Sequence, residues 1–123
     1  MNQIVFLDQT GARRPVKNIV MDWQDGVPCT VRELISERVR IEHDRFRMPD
    51  ANAELDAFLY APNIRHFTKM PAEQAVDLAL SAFERNAYVL FVGRKQLTDL
   101  DDVVVIEPRT EVTFIKLMPL VGG

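Results

Sequence analysis

The feature that most constrains the fold is a stripe of residues that begins within Thr30-Val31-Arg32-Glu33. In this T-x-x-E spacing the threonine hydroxyl accepts the amide of the glutamate, and the glutamate reaches back to the threonine amide. A helix should therefore start at Val31. Val31, Leu34, Ile35, Val39 and Glu42 follow at steps of three or four residues, with charged residues between them. On a 3.6-residue turn they line one face, and a helix with one apolar face must bury it against another element. The preceding chain supplies that element. Residues 4–7 are apolar and β-prone, Asp8-Gln9-Thr10-Gly11 carries turn chemistry, and residues 16–21 form a second extended run that Gly26 and Pro28 break. This pattern predicts a hairpin whose sheet the helix covers.

Beyond the helix, Pro49, Pro62, Asp50 and Asn63 punctuate the chain, leaving room for one short helix over about 53–60 within an insertion at about 46–70. Pro71 suits the first turn of another helix, in which Ala75, Val76, Ala79, Leu80 and Phe83 make a second stripe ending near Asn86. Residues 88–92 are a continuous β-rich run closed by Gly93. Residues 103–106 are a short β-prone piece before Pro108, and residues 111–117 start by alternating polar and apolar as a half-buried strand does. The predicted order is strand, strand, helix, insertion, helix, strand, short strand, strand, an α+β arrangement in one domain, 1–123.

Composition narrows the functional classes. The chain is 47% hydrophobic and 27% charged, which is enough apolar material for a core and unlike a disordered chain. A net charge of -3 with scattered arginines leaves no basic surface for phosphates, so nucleic acid is not an expected partner. Cys29 is the single cysteine and cannot form an internal disulfide, which fits a reducing cytoplasm. No apolar run approaches the roughly 20 residues that cross a bilayer, and the N-terminus lacks a signal pattern, so no membrane association is expected.

The chemistry is concentrated at the other end. The chain has five glycines, and Gly122 and Gly123 are its last residues, after Met118-Pro119-Leu120-Val121. At ordinary glycine usage a terminal pair arises by chance in roughly one chain in two hundred, so the pair gains meaning only from its place beyond a predicted strand. Two residues without Cβ atoms can enter a channel too narrow for side chains. A carboxylate becomes an acyl donor only once its oxygen is replaced by a better leaving group, for example by adenylation and transfer to a cysteine thiolate. A flexible tail 118–123 thus suits a substrate for another enzyme, with Gly123 and Gly122 as donor and Pro119 stiffening the exit from the strand. The alternative is a frayed terminus without a role.

Val89-Leu90-Phe91-Val92-Gly93-Arg94-Lys95-Gln96-Leu97-Thr98-Asp99 resembles the ubiquitin segment that runs from the third strand through its Gly-Lys-Gln-Leu turn, and the spacing to the terminal diglycine is nearly kept. The resemblance covers about the last third of the chain; the hairpin and capped helix are similar in arrangement only. Arg94 is an extra residue in the turn, the insertion has no counterpart, and Met-Pro-Leu-Val stands where ubiquitin has an arginine-containing tail. The resemblance implies a ubiquitin-like β-grasp fold, a mixed sheet on a main helix, with the insertion between the first helix and the third strand. It is similar to the modifiers encoded in bacterial antiviral operons, and that similarity implies a protein modifier and not an enzyme. Its expected partners are a ubiquitin-activating-like enzyme that recognises Met118, Pro119, Leu120 and Val121, a conjugating-like enzyme, a deconjugating protease and a target-protein amine. No cofactor is expected, ATP being used by the activating enzyme. Leu90 and Leu117 match positions of ubiquitin's hydrophobic recognition patch, which implies a docking face on adjacent strands; core packing is the alternative for Leu90.

The Pro-Leu-Val-Gly-Gly ending also resembles the tails of sulfur carriers of the molybdopterin and thiamine pathways, whose carboxylate becomes a thiocarboxylate. A non-covalent β-grasp adaptor is the remaining alternative. Other chemistry has little support. His43 and His66 are the only histidines and have no cysteines nearby, so neither a metal site nor a catalytic dyad is expected. Cys29 reads as a small structural residue. The Asp99, Asp101, Asp102 group lacks the glycine and glutamate of a calcium loop and reads as a solvated turn. Lys17, Lys69, Lys95 and Lys116 are candidate acceptors of another modifier's tail.

Overall fold

A computed structural model describes residues 2–46, 59 and 70–117. Within them the chain runs β1 (Asn2–Thr10), β2 (Val16–Trp23), β3 (Cys29–Thr30), α1 (Val31–Phe46), α2 (Ala72–Glu84), β4 (Tyr88–Val92), β5 (Lys95–Leu97), β6 (Val103–Val104) and β7 (Arg109–Lys116). The expected α+β class is observed, with α1 starting at Val31. Of the short helix expected over 53–60 only residue 59 is described, and the tail 118–123 lies outside the described residues.

Five strands form one mixed sheet in the order β2-β1-β7-β4-β5, and β3 pairs with β6 in a separate two-stranded ladder. The first and last strands run parallel at its centre, Val5 beside Glu111 and Thr10 beside Lys116. The other ladders of this sheet are antiparallel. A parallel neighbour cannot be reached by a tight turn, so the helices and β4 to β6 make the crossover. Two strands were not expected from sequence, β3 and β5, because two or three residues carry no readable alternation.

The α1 stripe is buried as its period requires: Val31, Leu34, Ile35 and Val39 have no exposed surface and pack with Ile4, Phe6 and Ile19 of the hairpin. Each such side chain contributes roughly 1.5–3 kcal/mol relative to exposure. Ala75, Val76, Ala79 and Phe83 of α2 join the same core. Phe6, Phe114, Tyr88 and Phe83 form a chain of tilted and edge contacts at 5.7, 5.9 and 5.9 Å, and the Tyr88 hydroxyl donates to the Ala79 carbonyl at 2.7 Å.

The ends of the helices are closed by local chemistry. Glu33 N–H donates to Thr30 Oγ1 and Thr30 N–H to Glu33 Oε1, both at 3.2 Å, completing the expected box. The next orphan amides, of Val31 and Arg32, donate to the carbonyls of Asp102 and Leu100. The Asp99–Asp102 turn therefore caps α1, and it is closed on itself by Asp101 N–H donating to Asp99 Oδ1 at 2.8 Å. At the end of α2, Asn86 adopts φ 61 while the amides of Asn86 and Ala87 donate to Phe83 and Ala82 carbonyls, a Schellman closure with asparagine in the left-handed position.

Candidate functional site at the root of the tail

The tail residues Met118, Pro119, Leu120, Val121, Gly122 and Gly123 lie outside the described residues. The strand that leads to them is held on both sides to its last residue: Lys116 pairs with Thr10 of β1 and Tyr88 of β4, and its carbonyl accepts the Gly11 amide at 2.9 Å. Leu117 follows with 51% of its surface exposed.

Leu90 does not belong to an exposed docking face. It is fully buried, opposite Phe114 on one side and Leu97 on the other. Since alternate strand residues point to opposite faces, burial of Leu90 turns its neighbours Val89 and Phe91 to the open face. The same alternation puts Thr113 and Ile115, their ladder partners on β7, on that face, with Leu7 beside Thr113 on β1. Val20 of β2, opposite Val5, is 43% exposed. Of the expected pair, Leu117 is exposed and Leu90 is core; the residues that share the open face are Phe91, Val89, Ile115 and, by the same alternation, Leu117.

The β4–β5 hairpin is tight. Val92 pairs with Lys95, leaving Gly93-Arg94 as the loop, and Gly93 has φ 59. A two-residue hairpin needs a positive φ at its first loop position, which favours glycine.

Under the same end of the sheet lies a set of buried charges that the sequence reading did not identify. Arg38 donates from Nη1 and Nη2 to both Asp8 oxygens, at 2.7 and 2.6 Å, and its guanidinium carbon sits 5.5 and 5.4 Å from the Phe6 and Phe114 ring centres. Asn18 Nδ2 donates to Asp8 at 2.6 Å. Glu42, one turn after Arg38, brings Oε2 to 3.4 Å from Arg38 Nε, and its Oε1 accepts the Leu59 amide at 2.8 Å. Arg38 and Glu42 have no exposed surface.

Burial is the largest influence on Glu42 and pushes its carboxyl up to about 7, although Arg38, the Leu59 amide and Lys116 work in the opposite direction. Burial also opposes the charge on Arg38, but Asp8 and Glu42 together more than offset it and hold the guanidinium above its ordinary range. Lys116 is lowered, chiefly by burial, against the attraction of Glu42 and Asp8. The signal for this cluster was present: Glu42 stood as a charged residue within an apolar stripe, with Arg38 four positions before it.

The remaining candidates have structural roles. Cys29 is fully buried, and its thiol is pushed up to about 12 by burial and by Glu33 and Glu37, so it is no nucleophile at neutral pH. His43 is buried and its Nε2 lies 2.8 Å from the Met70 carbonyl, where it donates. Arg32 and Asp101 form an exposed ion pair at 3.5 Å above the capping turn. Among the described residues no group of three His, Cys, Asp or Glu could hold a metal ion, and no helix is long and apolar enough to cross a membrane.

No protein-family model, curated protein or solved structure matches the chain.

Proposed function

We propose that this protein is a ubiquitin-like modifier of the β-grasp type, acting in the cytoplasm through Gly123. An activating enzyme would join the carboxylate to AMP with loss of pyrophosphate. A cysteine thiolate would then displace AMP, and a target amine would displace the thiolate to leave an amide. The observation that carries this reading is the position of β7: a central strand, paired on both sides to Lys116, that delivers the chain to the residues before the diglycine. The mixed sheet in the order β2-β1-β7-β4-β5, with a helix following the opening hairpin, is compatible with a β-grasp sheet and supports the same reading. Phe91, Val89, Ile115 and Leu117 would dock the activating and conjugating enzymes, and Met118, Pro119, Leu120 and Val121 would thread the tail into them.

The Pro-Leu-Val-Gly-Gly ending favours a second reading, a sulfur carrier whose activated carboxylate is attacked by sulfide. Incubating the full chain with ATP and its candidate activating enzyme, and following intact mass and gel mobility, separates the two. An amide-linked ladder lost on deleting Gly122-Gly123 supports the modifier; exchange of oxygen for sulfur supports the carrier. Partner binding indifferent to that deletion, with neither product, would leave an adaptor.

A further inference from the structure

The turn that joins β1 to β2 is bound to the root of the tail. Gly11 donates its amide to the Lys116 carbonyl at 2.9 Å, and the Arg13 amide donates to the Thr10 carbonyl at 3.1 Å. Gly11 has φ 57, which glycine adopts without strain, so the chain reverses while that amide still reaches β7. Residues 9–18 carry Arg13, Arg14 and Lys17 and no acidic side chain. All three cations are exposed, and none is in an ion pair or side-chain hydrogen bond with another described residue, whereas Arg32, Arg38 and Arg40 each face an acid. Pro15 fixes its own φ and restricts Arg14, so less backbone freedom is left to lose when the arginines meet a partner.

We propose that Arg13, Arg14 and Lys17 form a basic docking surface at the root of the tail, which pairs with an acidic patch on the enzyme that activates Gly123.

Such docking rests on the reading of Gly123 as an activated carboxylate, whether in a modifier or in a sulfur carrier. Leu117 to Gly123 have no charged side chain, so an enzyme that takes the tail finds charge only in what surrounds its root. Lys116 shares the face of Phe114, where Glu42 and Asp8 act on its amine, and the turn supplies outward charge beside it. Lys17 lies opposite Leu7, Leu7 beside Thr113 and Thr113 opposite Phe91, one row across the open face. A partner seated on Phe91, Val89 and Ile115 thus meets cations at the rim, where charge governs encounter and register more than contact area does. Three cations on one turn are too few to track a phosphate backbone, and a net charge of -3 opposes a polyanion as a whole, which favours an acidic protein surface.

Exchange of labelled pyrophosphate into ATP by the candidate activating enzyme, measured with the full chain at varied concentration, tests this. Arg13→Glu with Arg14→Glu should raise KM about tenfold at about 20 mM salt with kcat little changed, and the rise should shrink at about 500 mM salt, because rim charges act on encounter and are screened. Arg13→Lys with Arg14→Lys should keep KM within about twofold, since the surface supplies charge and not guanidinium geometry. Arg94→Glu with Arg109→Glu makes the same change in net charge at the other end of the sheet, where Gly93 is bonded to Glu111 and Arg109 lies beside Gln3, and should leave KM near that of the wild type. If the double reversal at the turn unfolds the chain, Lys17→Glu should show the same salt-dependent rise on a smaller scale. Unchanged KM in the turn variants, an equal rise in the Arg94 and Arg109 variant, or a rise that salt does not reduce overturns the proposal. Binding to phosphatidylserine vesicles that the turn reversal abolishes, with KM unchanged, would overturn it in favour of a membrane. A wild type that supports no exchange defeats the acyl-donor reading and the surface together, whereas exchange that the reversal leaves intact defeats the surface alone.

Discussion

Arg38 donates to both carboxylate oxygens of Asp8 with no guanidinium surface left exposed, so the pair joins the middle of α1 to β1 inside the core. Two rings, Phe6 and Phe114, flank the cation. Removing one partner strands the other in an apolar setting. Asp8→Ala should therefore cost about 3–5 kcal/mol by urea denaturation, whereas joint replacement of Asp8 and Arg38 by apolar residues should cost well under the sum of the single changes.

The global stability should carry the signature of Glu42. Its carboxyl is raised from 4.5 to about 7 in the folded chain, so the folded state holds the proton more tightly than the unfolded one. This contribution is fully present below 4.5 and is lost as pH rises through about 7. Chemical denaturation of the wild type should lose stability across that window, and Glu42→Gln should show a flatter profile there.

Opposite faces of β4 should respond differently to truncation. Leu90→Ala empties a fully buried site and should cost about 2–5 kcal/mol in thermal or urea unfolding. Phe91→Ala, on the open face, should cost less stability and weaken the reaction with the activating enzyme. A stable, fully active Phe91→Ala would argue against that face as the docking surface.

Cys29 should be silent in the native protein. A thiol-specific reagent at pH 7.5 should leave it unmodified for as long as the chain stays folded and modify one thiol per chain in denaturant, as burial and a thiol raised to about 12 require. Cys29→Ala should retain the fold and any tail-dependent activity, which separates packing from nucleophilic chemistry.

Much of the architecture was legible along the chain. The capped start of α1, its buried stripe, α2 with its closure near Asn86, and the runs at β1, β2, β4 and β7 are all local, because propensity, caps and hydrophobic period act over a few residues. β3 and β5 were not legible, since their stability comes from partners at Val103–Val104 and Tyr88–Val92. Leu90 illustrates the limit most clearly. A resemblance in sequence suggested a surface patch, but a strand's face is set by its ladder partners, and pairing with Phe114 and Leu97 turned Leu90 inward and Phe91 outward.

The sequence by itself determined where helices begin, which stripes are apolar, and that a diglycine follows a β-prone run, because these depend on near neighbours. Tertiary structure alone decided that the buried Asp8, Arg38 and Glu42 form one cluster with the half-buried Lys116 beside it, and that β1 and β7 lie parallel at the centre of the sheet. The physical reason is separation: those contacts join distant parts of the chain, and only folding brings their charges close enough, with enough water removed, to change one another's behaviour.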